Sequence, residues 1–121
     1  MSQFRELFEA YGADYELTMS RFLGDETKYL RFLDLLFLDD NLQTLGDALA
    51  AGDLDGAFGA AHTLKGISGN LGLTPLYNAV CEIVAPLRLR EGRDDYPVMY
   101  QAIQLEFRKV DLLRRKLKGE E

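Results

Sequence analysis

Histidine and cysteine are scarce in this sequence. The 121 residues include one histidine, His62, and one cysteine, Cys81. A single cysteine excludes a disulfide within the chain, and a structural zinc site would lack its usual set of histidine and cysteine ligands. The sequence therefore predicts neither a metal site nor a bound cofactor.

Long hydrophobic runs and an excess of positive charge are also missing. The longest apolar run falls far short of the ~18 residues that a membrane-spanning helix needs. The segment from Met1 to Glu6 has no basic stretch followed by an apolar one, so it does not resemble a secretory signal. With 14 Lys and Arg against 20 Asp and Glu, the net charge of −6 argues against nonspecific nucleic-acid binding. We expect a cytoplasmic protein that binds neither membrane nor nucleic acid.

Apolar residues recur along the chain at steps of three and four, which is the period of an α-helix and not of a strand. The length suits a single domain over residues 1–121. Because the connections between the longer helices are short, the sequence predicts an all-α fold, an antiparallel up-down four-helix bundle with additional short N-terminal helices. The predicted helices are Gln3–Tyr11, Asp14–Leu23, Glu26–Ala51, Leu54–Leu71, one that opens at Thr74 and Pro75 and is kinked or ended by Pro86, and Pro97–Lys118.

The predicted long helix carries two apolar stripes. The first stripe, which runs from Leu35 to Leu49, faces the core in this prediction. The N-terminal helices cover the second stripe, which lies in the first half of the helix. The first stripe comprises Leu35, Leu38, Leu42, Leu45 and Leu49, and the second comprises Tyr29, Leu33 and Leu36.

His62 lies one position away from the apolar stripe of the next helix. Steps of four and seven residues from His62 reach Gly66 and Gly69, and Lys65 lies three residues on, so all three are its neighbours on the helix surface. A glycine inside a helix costs about 1 kcal/mol relative to alanine. This cost indicates that the surface around His62 has been cleared of side chains, so that another protein can approach the ring. The alternative is that Gly66 and Gly69 allow close packing between helices.

Such an imidazole has the chemistry of a phosphoryl carrier. A neutral ring has one nitrogen free to attack phosphorus, and the product carries negative charge that Lys65, one turn away, can offset. The sequence contains no other histidine to share this role. The pattern therefore favours a single nucleophile on an open helix face.

The residues His62-Thr63-Leu64-Lys65-Gly66, followed by Asn70-Leu71-Gly72, resemble the signature of the histidine-phosphotransfer (HPt) family. The resemblance implies a phosphorelay intermediate whose partner is the receiver domain of a response regulator or hybrid histidine kinase, which supplies the magnesium and the acceptor aspartate. It implies that His62 is the phosphorylation site, that Lys65 neutralises phosphoryl charge and that Gly66 provides clearance. It also implies a phosphocarrier and not an enzyme. Arg88 or Arg90 is a candidate to assist from the following helix.

Two other functions compete with this one. An HPt-like bundle could dock receiver domains without accepting phosphate, although the intact His-x-Leu-Lys-Gly sequence weighs against it. A helical metal or cofactor protein is disfavoured by the scarcity of ligands. We expect a monomer, and a piece of a larger hybrid kinase would have the same sequence features.

Overall fold

The structure is a computed structural model that describes residues 2–120, and these residues form seven α-helices and no strand. The order of the helices agrees with the predicted all-α architecture. They are α1 (Gln3–Tyr11), α2 (Tyr15–Ser20), α3 (Glu26–Leu38), α4 (Asn41–Ala50), α5 (Leu54–Asn70), α6 (Thr74–Arg88) and α7 (Tyr96–Leu117).

The bundle is built by packing of neighbouring helices along the chain. Helix α4 packs against α5, α5 against α6 and α6 against α7, while α7 closes the bundle by contacting both α3 and α4. Helix α1 packs on α7 and short α2 on α1, so the N-terminal helices lie outside the four-helix arrangement, as predicted. The completely or almost completely buried side chains at its centre include Tyr29, Leu33, Leu45, Leu64, Leu76, Ile83, Leu87, Ile103 and Val110.

The predicted helix from Glu26 to Ala51 is wrong in one respect, because the chain breaks it at Asp39 and Asp40. Asp39 is extended, with φ −79° and ψ 141°. Its carboxylate accepts hydrogen bonds from the backbone N–H and the side-chain amide of Asn41, at 2.7 and 2.6 Å. Aspartate side chains compete in this way for backbone donors and favour helix starts over helix interiors. The aspartate pair therefore ends α3 and begins α4.

The break also corrects the predicted apolar stripes. Leu35 and Leu38 are 55% and 80% exposed, although the continuous stripe placed both in the core. The extended residue between α3 and α4 interrupts the helical phase, so the inward face of α3 is the other stripe. That stripe, Tyr29, Leu33 and Leu36, is buried, and of the first stripe Leu45 is fully buried while Leu42 and Leu49 pack partly against the core.

The other predicted boundaries differ from the structure by small amounts. Helix α6 continues through Pro86 to Arg88, so the proline lies in the last turn of the helix. There it removes one backbone hydrogen bond without ending the helix. Thr74 is the first residue of α6 and not its cap. Asp53 caps α5 as its position suggests, since its carboxylate accepts a hydrogen bond from the Gly56 N–H at 2.9 Å.

An ion cluster joins α3 to the end of α7. The Asp34 carboxylate accepts hydrogen bonds from the Arg114 guanidinium at 2.9 Å and the Lys118 ammonium at 2.8 Å. The bond from Lys118, followed by that from Arg114, lowers the pKa of Asp34 below its ordinary value. A group with a lowered pKa in the folded state stabilises the fold above its unfolded pKa, and this contribution is lost as the pH falls through the folded value.

We expect Asp34→Asn to lower the free energy of unfolding at pH 7 by about 0.2–1 kcal/mol, the usual range for exposed ion pairs. Urea unfolding at neutral pH measures this difference, and the difference should shrink as both proteins are acidified below about pH 4. Asp94→Asn is the matched control, because Asp94 is exposed and no ion pair involves it within residues 2–120. Equal stability of the Asp34 variant and the parent would contradict the role of the cluster.

Candidate functional site

His62 lies on the outer surface of α5. Ala57, Ala61 and Leu64 of the same helix are buried, and their spacing turns the next position after Ala61 toward solvent. The His62 side chain is exposed and makes no hydrogen bond with any residue in the described range 2–120. Its ring nitrogens are therefore accessible to a partner protein.

A groove open to solvent runs along α5 from His62 toward the C-terminal end of the helix. Helices α2 and α6 form its two sides. It brings the three residues that the sequence singled out, His62, Lys65 and Gly66, to one surface. The remaining lining residues are Asp14, Leu17, Thr18 and Arg21 from the α2 side, Gly69, Asn70 and Gly72 from the end of α5, and Thr74, Tyr77 and Asn78 from α6.

Lys65 is half-buried and lines this groove. Within residues 2–120, no carboxylate lies close enough to form an ion pair with its ammonium group. The positive charge is therefore available to an anion that enters the groove beside His62.

The glycines of α5 have different surroundings. A Cβ atom added to Gly66 would meet nothing within 4 Å outside its own helix backbone, whereas one added to Gly69 would lie 3.1 Å from the Tyr77 ring. Packing between α5 and α6 thus accounts for Gly69. It does not account for Gly66, which is exposed beside His62.

Two side chains that are distant in the sequence, those of Arg21 and Tyr29, hold the C-terminal end of α5. The Arg21 guanidinium donates to the carbonyls of Gly69 and Asn70, at 2.9 and 3.1 Å. The buried Tyr29 hydroxyl donates to the Leu71 carbonyl at 2.6 Å, and burial raises the pKa of this hydroxyl, so it stays protonated. Helical periodicity carries no signal for these contacts, because they join residues 42 to 49 positions apart.

The turn after α5 depends on Gly72. Its φ of +68° is in the left-handed region that favours glycine, and an added Cβ atom would overlap the Thr18 side chain. Close approach of α2 to this turn therefore forms one end of the groove.

Phe58 is a further neighbour of His62, in addition to the residues expected from the sequence. The two rings stack with centroids 5.5 Å apart and an interplanar angle of 28°. Their four-residue spacing on one helix was the available signal. The guanidinium carbons of Arg88 and Arg90 lie 5.3 and 4.6 Å from the centre of the Phe58 ring, so both arginines reach the neighbourhood of His62 through Phe58.

Features of other functional classes are not found in the described residues. Within residues 2–120, no group of three or more His, Cys, Asp or Glu side chains is arranged to hold a metal ion. In the same range, none of the helices has the length and apolar character needed to cross a membrane.

Comparisons with known proteins agree with this geometry. The family model of the Hpt domain matches residues 35–111, more than half of the chain. The structure is similar to the crystal structure of histidine-containing phosphotransfer protein B (HptB) from Pseudomonas aeruginosa PAO1, with a TM-score of 0.77 and 28% sequence identity over 90% of this chain and 96% of that one. No curated protein matches the sequence. A helical bundle with an exposed histidine, matched by the family model over this length, places the chain in the Hpt domain family.

Proposed function

We propose that residues 1–121 act as one phosphotransfer domain and that His62 carries the phosphoryl group. Membership of the Hpt family makes the chain a histidine-phosphotransfer intermediate of phosphorelay signalling. The observation that carries the assignment to His62 is its exposure on α5, at the head of a groove that also holds Lys65 and Gly66. The chain contains no other histidine.

The proposed reaction is an exchange between His62 and an aspartate of a receiver domain. A lone pair of the neutral imidazole forms the N–P bond while the P–O bond to the aspartyl carboxylate breaks, and the carboxylate leaves with that electron pair. The other ring nitrogen keeps its hydrogen during this exchange. The receiver supplies the divalent cation, and this chain supplies the nucleophile, a nearby cation and an unobstructed approach. In this proposal the chain is a phosphocarrier with no catalysis of its own.

The test is incubation of this chain with a phosphorylated receiver domain. Label should move to the chain in a linkage that is labile in acid and stable in alkali, as expected of a phosphoramidate, and peptide mapping should place it on His62. Absence of label, with the receiver shown to bind, would instead support the docking module without transfer. Label in an alkali-labile linkage would place the group on a carboxylate and overturn the assignment.

We also propose that Lys65 stabilises the phosphorylated ring by its charge. It follows His62 by three residues and has no carboxylate partner among residues 2–120, so its ammonium can pair with the phosphoryl oxygens. We expect Lys65→Ala to lower the transfer rate or the lifetime of the phosphorylated form about two- to fivefold, because an exposed ion pair contributes up to about 1 kcal/mol. Circular dichroism should show an intact fold.

Lys65→Arg is the control for this variant, since it keeps the charge. It should retain most of the transfer rate and of the phosphohistidine lifetime. If Lys65→Ala matches the parent in both measurements, charge neutralisation by this residue is not needed.

The proposed partner is a receiver domain of a response regulator or hybrid kinase, and the proposed state is a monomer in the cytoplasm. The docking surface in this proposal is centred on the groove at His62. Its apolar rim includes Leu17, which is 57% exposed on α2 beside Arg21. Sedimentation of the chain alone and with a receiver measures both the monomeric state and the complex.

A further inference from the structure

The ring of Phe58 supports one side of the His62 imidazole. The stacked rings lie one helical turn apart on α5, with centroids 5.5 Å apart. Phe58 is half-buried against the core and is not among the residues that line the groove. It therefore contacts the imidazole on the side away from the approach that we assign to the partner.

The Arg90 side chain is fixed against Phe58. Its guanidinium carbon lies 4.6 Å from the ring centre, close enough for a cation–π contact. The same group donates to the Asp55 carboxylate at 2.5 Å and to the carbonyls of Leu87 and Arg88 at 2.9 and 3.1 Å. Asp55 precedes Phe58 by three residues on α5, so Arg90 links the end of α6 to the helix that carries His62.

The backbone of Arg90 is unusual for an arginine. Its φ is +52°, in the left-handed region. Its N–H donates to the Leu87 carbonyl at 2.9 Å, and the next N–H, that of Glu91, donates to the Pro86 carbonyl at 3.1 Å. This is the hydrogen-bonding pattern that ends many helices, and the left-handed residue in it is usually glycine. Arg90 therefore holds a backbone conformation that glycine adopts with less strain.

We propose that Arg90 and Phe58 are positioning residues that hold the His62 imidazole in the orientation needed for phosphoryl transfer. The inference rests on the proposed function of His62. An exposed side chain ordinarily exchanges among rotamers, and transfer requires the attacking nitrogen, the phosphorus and the leaving oxygen to lie nearly in line. Stacking on a ring that is itself held by Arg90 reduces this freedom before the partner binds. Arg90 acts in this way without touching the phosphoryl group.

The first test is spectroscopic and needs no phosphate. Because the chain has one histidine, its ring gives a single pair of carbon-bound proton signals in a ¹H–¹³C spectrum. In the unphosphorylated parent these signals should be displaced by the ring current of Phe58. The displacement should persist in Phe58→Tyr and disappear in Phe58→Leu. Histidine signals at their positions in an unfolded peptide, in the folded parent, would overturn the proposal.

The second test measures the rate of transfer from a phosphorylated receiver domain. We expect Phe58→Leu and Arg90→Gly each to slow transfer about two- to fivefold, the factor expected from one exposed cation–π or stacking contact, with Phe58→Tyr close to the parent. Because glycine relieves the left-handed backbone, Arg90→Gly should unfold in urea at the same concentration as the parent or a higher one. A loss of rate without a loss of stability is not expected of a merely structural arginine.

Arg93→Gly is the matched control, since Arg93 lies in the same connection but pairs with Asp95 and Glu91 instead of Phe58. It should transfer like the parent. Parental rates in Arg90→Gly or in Phe58→Leu would overturn the positioning role. If the parent itself accepts no phosphoryl group, the proposed function fails, whereas a missing ring-current displacement in a parent that does transfer refutes only the positioning stack.

Discussion

Replacing His62 with glutamine is expected to abolish phosphorylation of this chain by a phosphorylated receiver, to below the detection limit of the label. Glutamine has no lone pair comparable to that of an imidazole nitrogen, and the chain has no second histidine to substitute for it. The fold should survive, because His62 is exposed and its described contact is the stack on Phe58. Exposed substitutions of this kind usually change stability by no more than about 0.5 kcal/mol.

The neighbouring variant Thr63→Ala is the control for this experiment. Thr63 is exposed, its hydroxyl donates to the Gly59 carbonyl of its own helix at 3.0 Å, and it does not line the groove. This variant should accept label like the parent. Both variants should still bind the receiver, as measured by calorimetry, since the surface around position 62 is unchanged. Label that persists in His62→Gln would refute the assignment of the phosphorylation site.

The central part of the site could be predicted from the sequence because it lies on one helix. His62, Lys65 and Gly66 are separated by three and four positions, and helical geometry alone brings such residues to one surface. The burial of Ala61 and Leu64 on the opposite side likewise follows from the period of the helix. No knowledge of tertiary packing was required for this step.

The walls of the groove could not be predicted in the same way. Arg21 reaches the end of α5 across 48 residues of sequence, and its position depends on how short α2 packs beside the bundle. The stack of Arg90 on Phe58 depends on a left-handed arginine just after the end of α6. Local patterns carry no information on such contacts between helices.

The break between α3 and α4 was missed for a related reason. The leucines on either side of Asp39 and Asp40 keep a helical spacing, so hydrophobic periodicity continues where the backbone does not. The competing signal was the aspartate pair followed by Asn41. The Asp39 carboxylate accepts hydrogen bonds from the backbone N–H and the side-chain amide of Asn41. Capping chemistry outweighs periodicity here because Leu35 and Leu38 are exposed, so the interruption of their stripe removes little buried apolar surface.

We expect Gly66→Leu to slow phosphoryl transfer on the order of 100-fold, the effect that misplacement of reacting groups by about 1 Å can have. Side chains on a helix lean toward its N-terminus, so the new leucine would lie over the residue four positions earlier, which is His62. It would occupy the space through which the receiver's aspartate must approach. No atom outside the helix backbone lies within 4 Å of a Cβ atom at Gly66, so the first carbon of the new side chain fits. Since leucine is a better helix former than glycine, the free energy of unfolding should rise by about 0.5–1 kcal/mol.

Gly59→Leu separates the steric effect on the site from the effect on the helix. Gly59 is exposed on the same helix and also has no atom within 4 Å of an added Cβ atom, so it should show the same gain in stability. It precedes His62 by three residues and does not line the groove, and a leucine there leans toward the N-terminal end of α5, so transfer should stay close to that of the parent. Stopped-flow transfer and urea unfolding, measured on both variants, test the two effects separately. Clearance at Gly66 is contradicted if both leucine variants transfer at the parental rate, because the same side chain would then be harmless on either side of the histidine.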